Sequence, residues 1–334
     1  MIVEQTVVLH QHAFTLGAMP DADCIEQVEL NILTTAEMDW HGIAVRHAFI
    51  QPYCAQEDFA LRLCRLLQCL VAKLKAQQNT DLLAEQSTVY LVLPELGTAE
   101  GSALNNLIQH IMRSLPGLLQ SAQCRVFAYG SAGAIMAFAA AQKVLQQQSQ
   151  ASIWLIAVDS LCSATAFERY REYSANHVLS EGAIALRIGN VLAGNTGEDT
   201  GLKLIFSSVD ATTGHINNTA DDATGSLFRQ IAAEVSKRAK TLKLLYMPDC
   251  GDERAVSAWL EQYHWLRGAI TADTAFCMPA YYCGELGACG GLYRLFHLIR
   301  ADAKGRLPGL TLQYEQSSQH YRAVALFAVK GMDN

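Results

Sequence analysis

The stretch RVFAYGSAGAIMAFAAAQKVL, Arg125 to Leu145, carries the residues with the clearest chemical use. An apolar run, Val126 to Tyr129, stops at Gly130-Ser131-Ala132-Gly133, and an alanine-rich segment of helical character follows. A strand, a small-residue turn and a helix N-terminus aim backbone N–H groups at the place where an oxyanion would develop. Gly130 permits a backbone conformation or close approach that other residues resist. Ser131 could therefore be a nucleophile, but a serine hydroxyl is weak until a base removes its proton. Serine is also among the best helix N-caps, so both roles stand open.

One reading of this turn is the G-x-S-x-G elbow of serine α/β-hydrolases, in which the nucleophile sits on a sharp strand-to-helix turn. Here Gly133 is in place, while Tyr129 occupies the position of the first glycine. Asp159 or Asp249 would be the acid, and His297 or His320 the base. Other constellations carry less. Cys277, Cys283 and Cys289, with His297 beyond, do not have the spacing of a zinc knuckle or ribbon. His10 and His12 share one face of a strand, as a surface strand also allows. Asn195 to Gly201, NTGEDTG, lacks the lysine and helix of a phosphate loop. Neither a metal nor a cofactor is expected.

These residues must be positioned by an alternating α/β scaffold. Strands are predicted at Thr6–His10, Val89–Leu93, Val126–Tyr129, Ile153–Val158 and Gly182–Ile188, and helices at Asp58–Gln77, Ala103–Ser114 and Ala132–Gln148. A polar, glycine-rich stretch, Gly189 to Gly201, breaks the pattern. Beyond it come strand Leu202–Ser207, helix Gly225–Ala239, strand Leu242–Met247, helices Glu253–Trp265 and Gly287–Arg300, and closing strands at Leu310–Glu315 and Ala323–Val329. This gives two βαβ-rich halves, 1–195 and 196–334. With 334 residues, 51% of them hydrophobic, the chain can bury a sizeable core. A net charge of −7 without a basic run argues against nucleic acid as partner. The apolar runs are too short and too polar for a membrane span. The N-terminus lacks the basic region of a signal peptide, and the ten cysteines are dispersed without a CxxC pair. Together these predict free thiols in the cytoplasm.

In order along the chain, several segments resemble the thiolase superfamily, and the β-ketoacyl synthases in particular. With Ser131 set on the nucleophile, Ala132, Ala137 and Ala141 fall on the family's small positions. LSEGAIALRIGN resembles the GEGAG strand, CGDERAVSAWLEQY the start of a GD-x-x-E-x-x-A helix, and ELGACGGLYRLFHLI the LGAAGA helix that follows a catalytic histidine. The resemblance spans roughly Tyr90 to Lys330. It implies a thiolase-like fold: two pseudo-repeated α/β halves in an αβαβα layered arrangement. It also implies a dimer, paired through a strand beside the nucleophile helix, for which SIWLIAVDSL, Ser152 to Leu161, is the expected strand.

The departures from that family are concentrated in its chemistry. A condensing synthase holds the acyl chain on a cysteine and stabilises charge with two histidines, or a histidine and an asparagine. Ser131 replaces the cysteine. Gly284 stands at one histidine position, and MPDCGDE, without histidine, replaces the loop that carries the other. The lysine before the second histidine and the GFGG loop are missing. Gly130, Asp249, Cys250, Glu285 and His215 are the residues expected around the emptied pocket. The resemblance thus implies a homologue without condensing activity that works as an accessory or partner-binding protein. It would resemble a chain-length factor or the thiolase-like companions of secretion effectors, in a homodimer or a heterodimer with a thiolase-fold partner. An acyl carrier protein or an effector would be the further partner. The rival expectation is a Ser131-dependent acyltransferase acting on acyl thioesters, or the hydrolase above.

Overall fold

The computed structural model describes residues 6–17, 35–77, 88–96, 101–120, 124–148, 151–170, 177–190, 201–212, 222–248, 253–307 and 309–328. Its first half contains strands β1 (Val7–Leu16), β2 (Ala36–Trp40) and β3 (Ile43–Ala48), helix α1 (Phe59–Ala76), strand β4 (Thr88–Val92), and helices α2 (Gly101–Ser114) and α3 (Pro116–Gln120). Strand β5 (Arg125–Phe127), helix α4 (Ala132–Gln147), strand β6 (Ser152–Ser160), helix α5 (Ala164–Tyr170) and strand β7 (Leu179–Asn190) complete it. The second half contains β8 (Lys203–Ala211), α6 (Asp222–Lys237), β9 (Leu242–Tyr246), α7 (Glu253–Gln262), β10 (Ala275–Cys277), α8 (Ala280–Cys283), α9 (Ala288–Ala303), β11 (Leu310–Gln316) and β12 (Tyr321–Ala328).

Local sequence explains the main elements. The Asp58 carboxylate caps α1 by accepting the Leu61 N–H at 3.0 Å, and Leu63, Leu66, Leu67, Leu70 and Leu74 form its buried face. Strand β4, Thr-Val-Tyr-Leu-Val, is buried on both faces, as parallel strands covered by helices are. The alanines of α4 let its backbone lie close to its neighbours. Helix α9 is buried on every side, with only Arg300 and Ala303 outside its buried set. Such a helix must have structure on all flanks.

The strand connections reveal the repeat that the sequences of the halves do not. In the first sheet the order is β5-β4-β6-β7-β1, with the β2–β3 hairpin added where β3 meets the start of β7. In the second it is β10-β9-β11-β12-β8. Numbered within each half, apart from the added hairpin, both read third, second, fourth, fifth, first. The directions also agree: the first three in each order are parallel, and the remaining two pairings are antiparallel. The layers follow from the side-chain clusters. Helices α1 and α2 cover the outer face of the first sheet. Helices α4 and α9 lie between the sheets, and α6 and α7 cover the outer face of the second. This is the expected αβαβα stack.

One expectation fails here. The segment Ser152 to Leu161 does not offer a pairing edge, because β6 is interior, hydrogen-bonded to β4 on one side and β7 on the other. The strand at the edge beside α4 is β5, with Arg125 and Val126 exposed. The expected junction at residues 195 and 196 lies outside the described residues.

Candidate functional site

Strands β4, β5 and β6 of the first sheet and β9, β10 and β11 of the second end on the side where α4 and α9 begin. Ser131 is at this end, in the first turn leading into α4, and is buried at 5% exposure. It occupies the N-cap position, but its backbone is already helical (φ −62°, ψ −32°) and its side chain caps nothing. Its hydroxyl instead donates to the Gln316 carbonyl at 3.0 Å, at the end of β11. The cap comes from Ser317, whose oxygen accepts the Ala132 N–H at 3.1 Å while its own hydroxyl donates to the Tyr129 carbonyl. Gly130 is at φ +58°, and a Cβ there would lie 2.9 Å from the Ser317 oxygen. The glycine is required by that close approach as well as by its backbone angle.

The turn that carries Ser317 is fixed from two sides. Glu95, buried after β4, accepts the N–H groups of Gln319 at 3.0 Å and His320 at 2.8 Å. The buried Arg322 guanidinium donates from one nitrogen to the carbonyls of Ser317, Gln319 and Tyr321 at 2.9–3.3 Å. The Tyr129 and Tyr321 rings meet edge to face with centroids 4.7 Å apart. The hairpin between β11 and β12 is thus latched across the Ser131 turn.

The second helix N-terminus at this end is also occupied by the chain itself. The buried Asp159 carboxylate accepts the Ala288 N–H at 2.7 Å and the Ser160 N–H at 2.8 Å. A carboxylate placed there is favoured by the helix dipole. Glu285 accepts the Gly287 N–H at 2.7 Å. Gly287, at φ +55°, has no room for a Cβ because the Asp159 carboxylate fills it. Gly284 lies at φ +70°, ψ −178°, a conformation that glycine alone holds readily, and a Cβ would stand 2.9 Å from the Val178 carbonyl. Helix α9 also crosses α4 so closely that a Cβ on Gly291 would overlap the Ser131 carbonyl.

No family model matches the chain, and no curated protein matches it. Solved structures do. One is a type II PKS acyl-carrier protein in complex with its ketosynthase bound to the hexaketide; the TM-score is 0.63 at 12% identity, covering 98% of this chain and all of that one. The ishigamide ketosynthase/chain length factor aligns with a TM-score of 0.63 at 14% identity over 98% of this chain and 100% of the other. The ketosynthase from module 6 of the bacillaene synthase of Bacillus subtilis 168 aligns with a TM-score of 0.67 at 10% identity, over 97% and 72% of the two chains. The chain has the ketosynthase fold.

Within this ketosynthase fold the expected site residues fare differently. Ser131 and Gly130 stand at the start of α4, and Gly284 and Glu285 stand just before the start of α9. Asp249, Cys250 and His215 lie outside the described residues. Two of the hydrolase partners are engaged elsewhere, and a third, Asp249, is among those undescribed residues. Asp159 is committed to the α9 N-terminus, and His297 is buried with Nδ1 2.8 Å from the Tyr246 hydroxyl. His320 meets this end through its backbone N–H. Among the described residues, the hydrogen-bond partner of the Ser131 hydroxyl is a carbonyl and not a histidine. Burial pushes the Cys283 thiol to about 12 and Cys289 well above its ordinary value, so neither supplies a thiolate at neutral pH. The eight described cysteines are free. Among the described residues no cluster of ligating side chains could hold a metal, and no helix is long and apolar enough to cross a membrane.

Sequence reasoning missed two buried ion pairs beside this end. Arg294 of α9 grips Glu315 of β11, with Nε 2.7 Å from Oε1, and Gln313 donates to both Glu315, at 2.8 Å, and the Gly291 carbonyl, at 3.0 Å. Arg62 of α1 grips Glu181 of β7, which also accepts from the Ile50 N–H at 2.7 Å and the Ser160 hydroxyl at 2.6 Å. The signal for the second was present: Glu181 sits in a strand otherwise free of acids, where a buried carboxylate needs a cation.

Proposed function

We propose that this protein is a non-condensing β-ketoacyl synthase homologue that works by binding a protein partner. Ser131 marks the position of a former nucleophile and Gly284 that of a former histidine. The observation that carries this reading is the commitment of the Ser131 proton to the Gln316 carbonyl while Ser317 fills the neighbouring Ala132 N–H. A helix N-terminus whose first N–H is already bonded gives little to a developing oxyanion. The proposed assembly is a homodimer, or a heterodimer with a second thiolase-fold chain, as in chain-length-factor pairing; an effector-accessory role is the other form of the same reading. Pairing through the β5 edge is supported by its exposed residues and its place beside α4. The halves, 1–195 and 196–334, would act as one unit in the cytoplasm, where the free thiols belong.

The test is acylation of Ser131. The chain is incubated with a fluorophosphonate probe, with acyl-coenzyme A and with an acylated carrier protein, and the mass of the Ser131 peptide is read. No adduct is expected. Stoichiometric labelling that disappears in Ser131→Ala would establish the acyltransferase or hydrolase instead.

A further inference from the structure

The outer face of the second half carries a concentration of cations around an exposed tryptophan. Trp265 is 39% exposed, whereas the other three tryptophans, Trp40, Trp154 and Trp259, are 8%, 3% and 2% exposed. Its indole N–H donates to Gln262 at 3.2 Å, and the Arg229 guanidinium lies over its ring, 4.5 Å from the centroid. Arg229 belongs to the exposed stripe of α6, which continues through Ala233 and Ser236 to Lys237 and then Arg238 and Lys240, all exposed. The small residues keep this stripe open over about 12 Å of helix. Arg267 and Gly268, also exposed, follow Trp265. Their turn is tied to the start of β9 by the 2.7 Å bond from the Leu242 N–H to the Ala269 carbonyl, which brings Arg267 to the same end of the sheet as Lys240. The acids on these elements are Asp222 and Glu253 at the starts of α6 and α7, Glu234, already held by Lys237, and the exposed Glu261 and Asp273.

The helix dipole favours cations in a last turn. That accounts for Lys237 but not for Arg229 in mid-helix, nor for Arg267 in a loop. The rest of the molecule is acidic, since the whole chain carries −7. A long polyanion such as a duplex would run off this surface onto repelling charge, whereas a short acidic segment would not. Exposed Trp and Arg are also the side chains that most often anchor protein contacts.

We propose that this face docks an acidic segment of a partner protein, with Trp265 as its anchor and Arg229, Lys240 and Arg267 reading its carboxylates. The surface lies on the outer helix layer of the second half, so the second sheet stands between it and the α4 layer that carries Ser131, and it is not an entrance to the emptied site. The proposal holds whether or not Ser131 is reactive.

The full chain is titrated with a poly-L-glutamate of about 20 residues at low salt while tryptophan emission is followed. The three buried tryptophans leave Trp265 to report contact. Saturable quenching is expected, reversed by salt, and weakened about ten-fold or more in the triple variant Arg229→Glu, Lys240→Glu, Arg267→Glu. Lys75→Glu, in the first half, should bind as the unaltered chain does. Far-UV circular dichroism and the melting temperature establish that each variant is folded. Absence of quenching, equal affinity in the triple variant, or tighter binding of a duplex DNA or of phosphatidylserine vesicles than of the peptide would overturn the proposal.

Discussion

Ser131 and Ser317 divide a task that the sequence suggests for one residue. Ser131 stands at the helix start, as an N-cap should, yet the capping oxygen comes from Ser317, 186 positions later in the numbering. Replacing Ser317 by alanine strands the Ala132 N–H in a buried turn, at a cost of about 1–3 kcal/mol. Replacing Ser131 by alanine loses one neutral hydrogen bond, about 1 kcal/mol. Thermal or urea unfolding should therefore rank Ser317→Ala as the more damaging. A Ser131→Ala variant more stable than the parent would argue instead for a nucleophile held at the expense of stability. The serine at 131 and the glycine at 284 were legible because residue types can be read directly from the sequence. The Ser317 latch was not, since contacts between distant segments leave no periodicity to read.

At the scale of elements, α9 joins the halves. It packs between the sheets and ties itself to β11 through Arg294 and Glu315, both at most 4% exposed. Cutting a buried pair leaves an uncompensated charge. Arg294→Met should cost about 3–5 kcal/mol, and Arg294→Met with Glu315→Leu should recover much of that. Denaturant midpoints of the three proteins decide it: equal loss in single and double variants would mean that the pair is not the tie. Sequence reasoning found this helix because the glycines of LGACGG and an apolar run mark it. It overlooked β10, α8 and the β2–β3 hairpin, which are too short for a period to establish itself. It also misplaced the pairing edge. The segment SIWLIAVDS is apolar without alternation, the pattern of a strand covered on both faces, so its interior place was written there.

For the molecule as a whole, buried titratable groups set the response to pH. Burial holds His177 neutral, its pKa lowered from 6.5 to about 4. A depressed histidine contributes stability that is intact above 6.5 and is lost as pH falls toward 4, up to ~3 kcal/mol. Asp302 acts in the opposite sense: burial raises it to about 6, tempered by a hydrogen bond from the Gly201 backbone, so its penalty grows as pH rises from about 4 to 6. Melting curves between these limits should show a shallower acid loss in His177→Phe. Asp302→Asn should melt higher than the parent at neutral pH and equally at pH about 4. Profiles that match the parent would remove both groups from the account. The backbone at Gly284 has a consequence of another kind. A histidine placed at that position must adopt a conformation that L-residues resist, and a cysteine placed at 131 lies beneath the latched hairpin. Each substitution is therefore expected to cost stability by itself, whatever it does to activity. Under the proposed function the helix start at Ser131 serves as structure, and binding is left to the faces and edges.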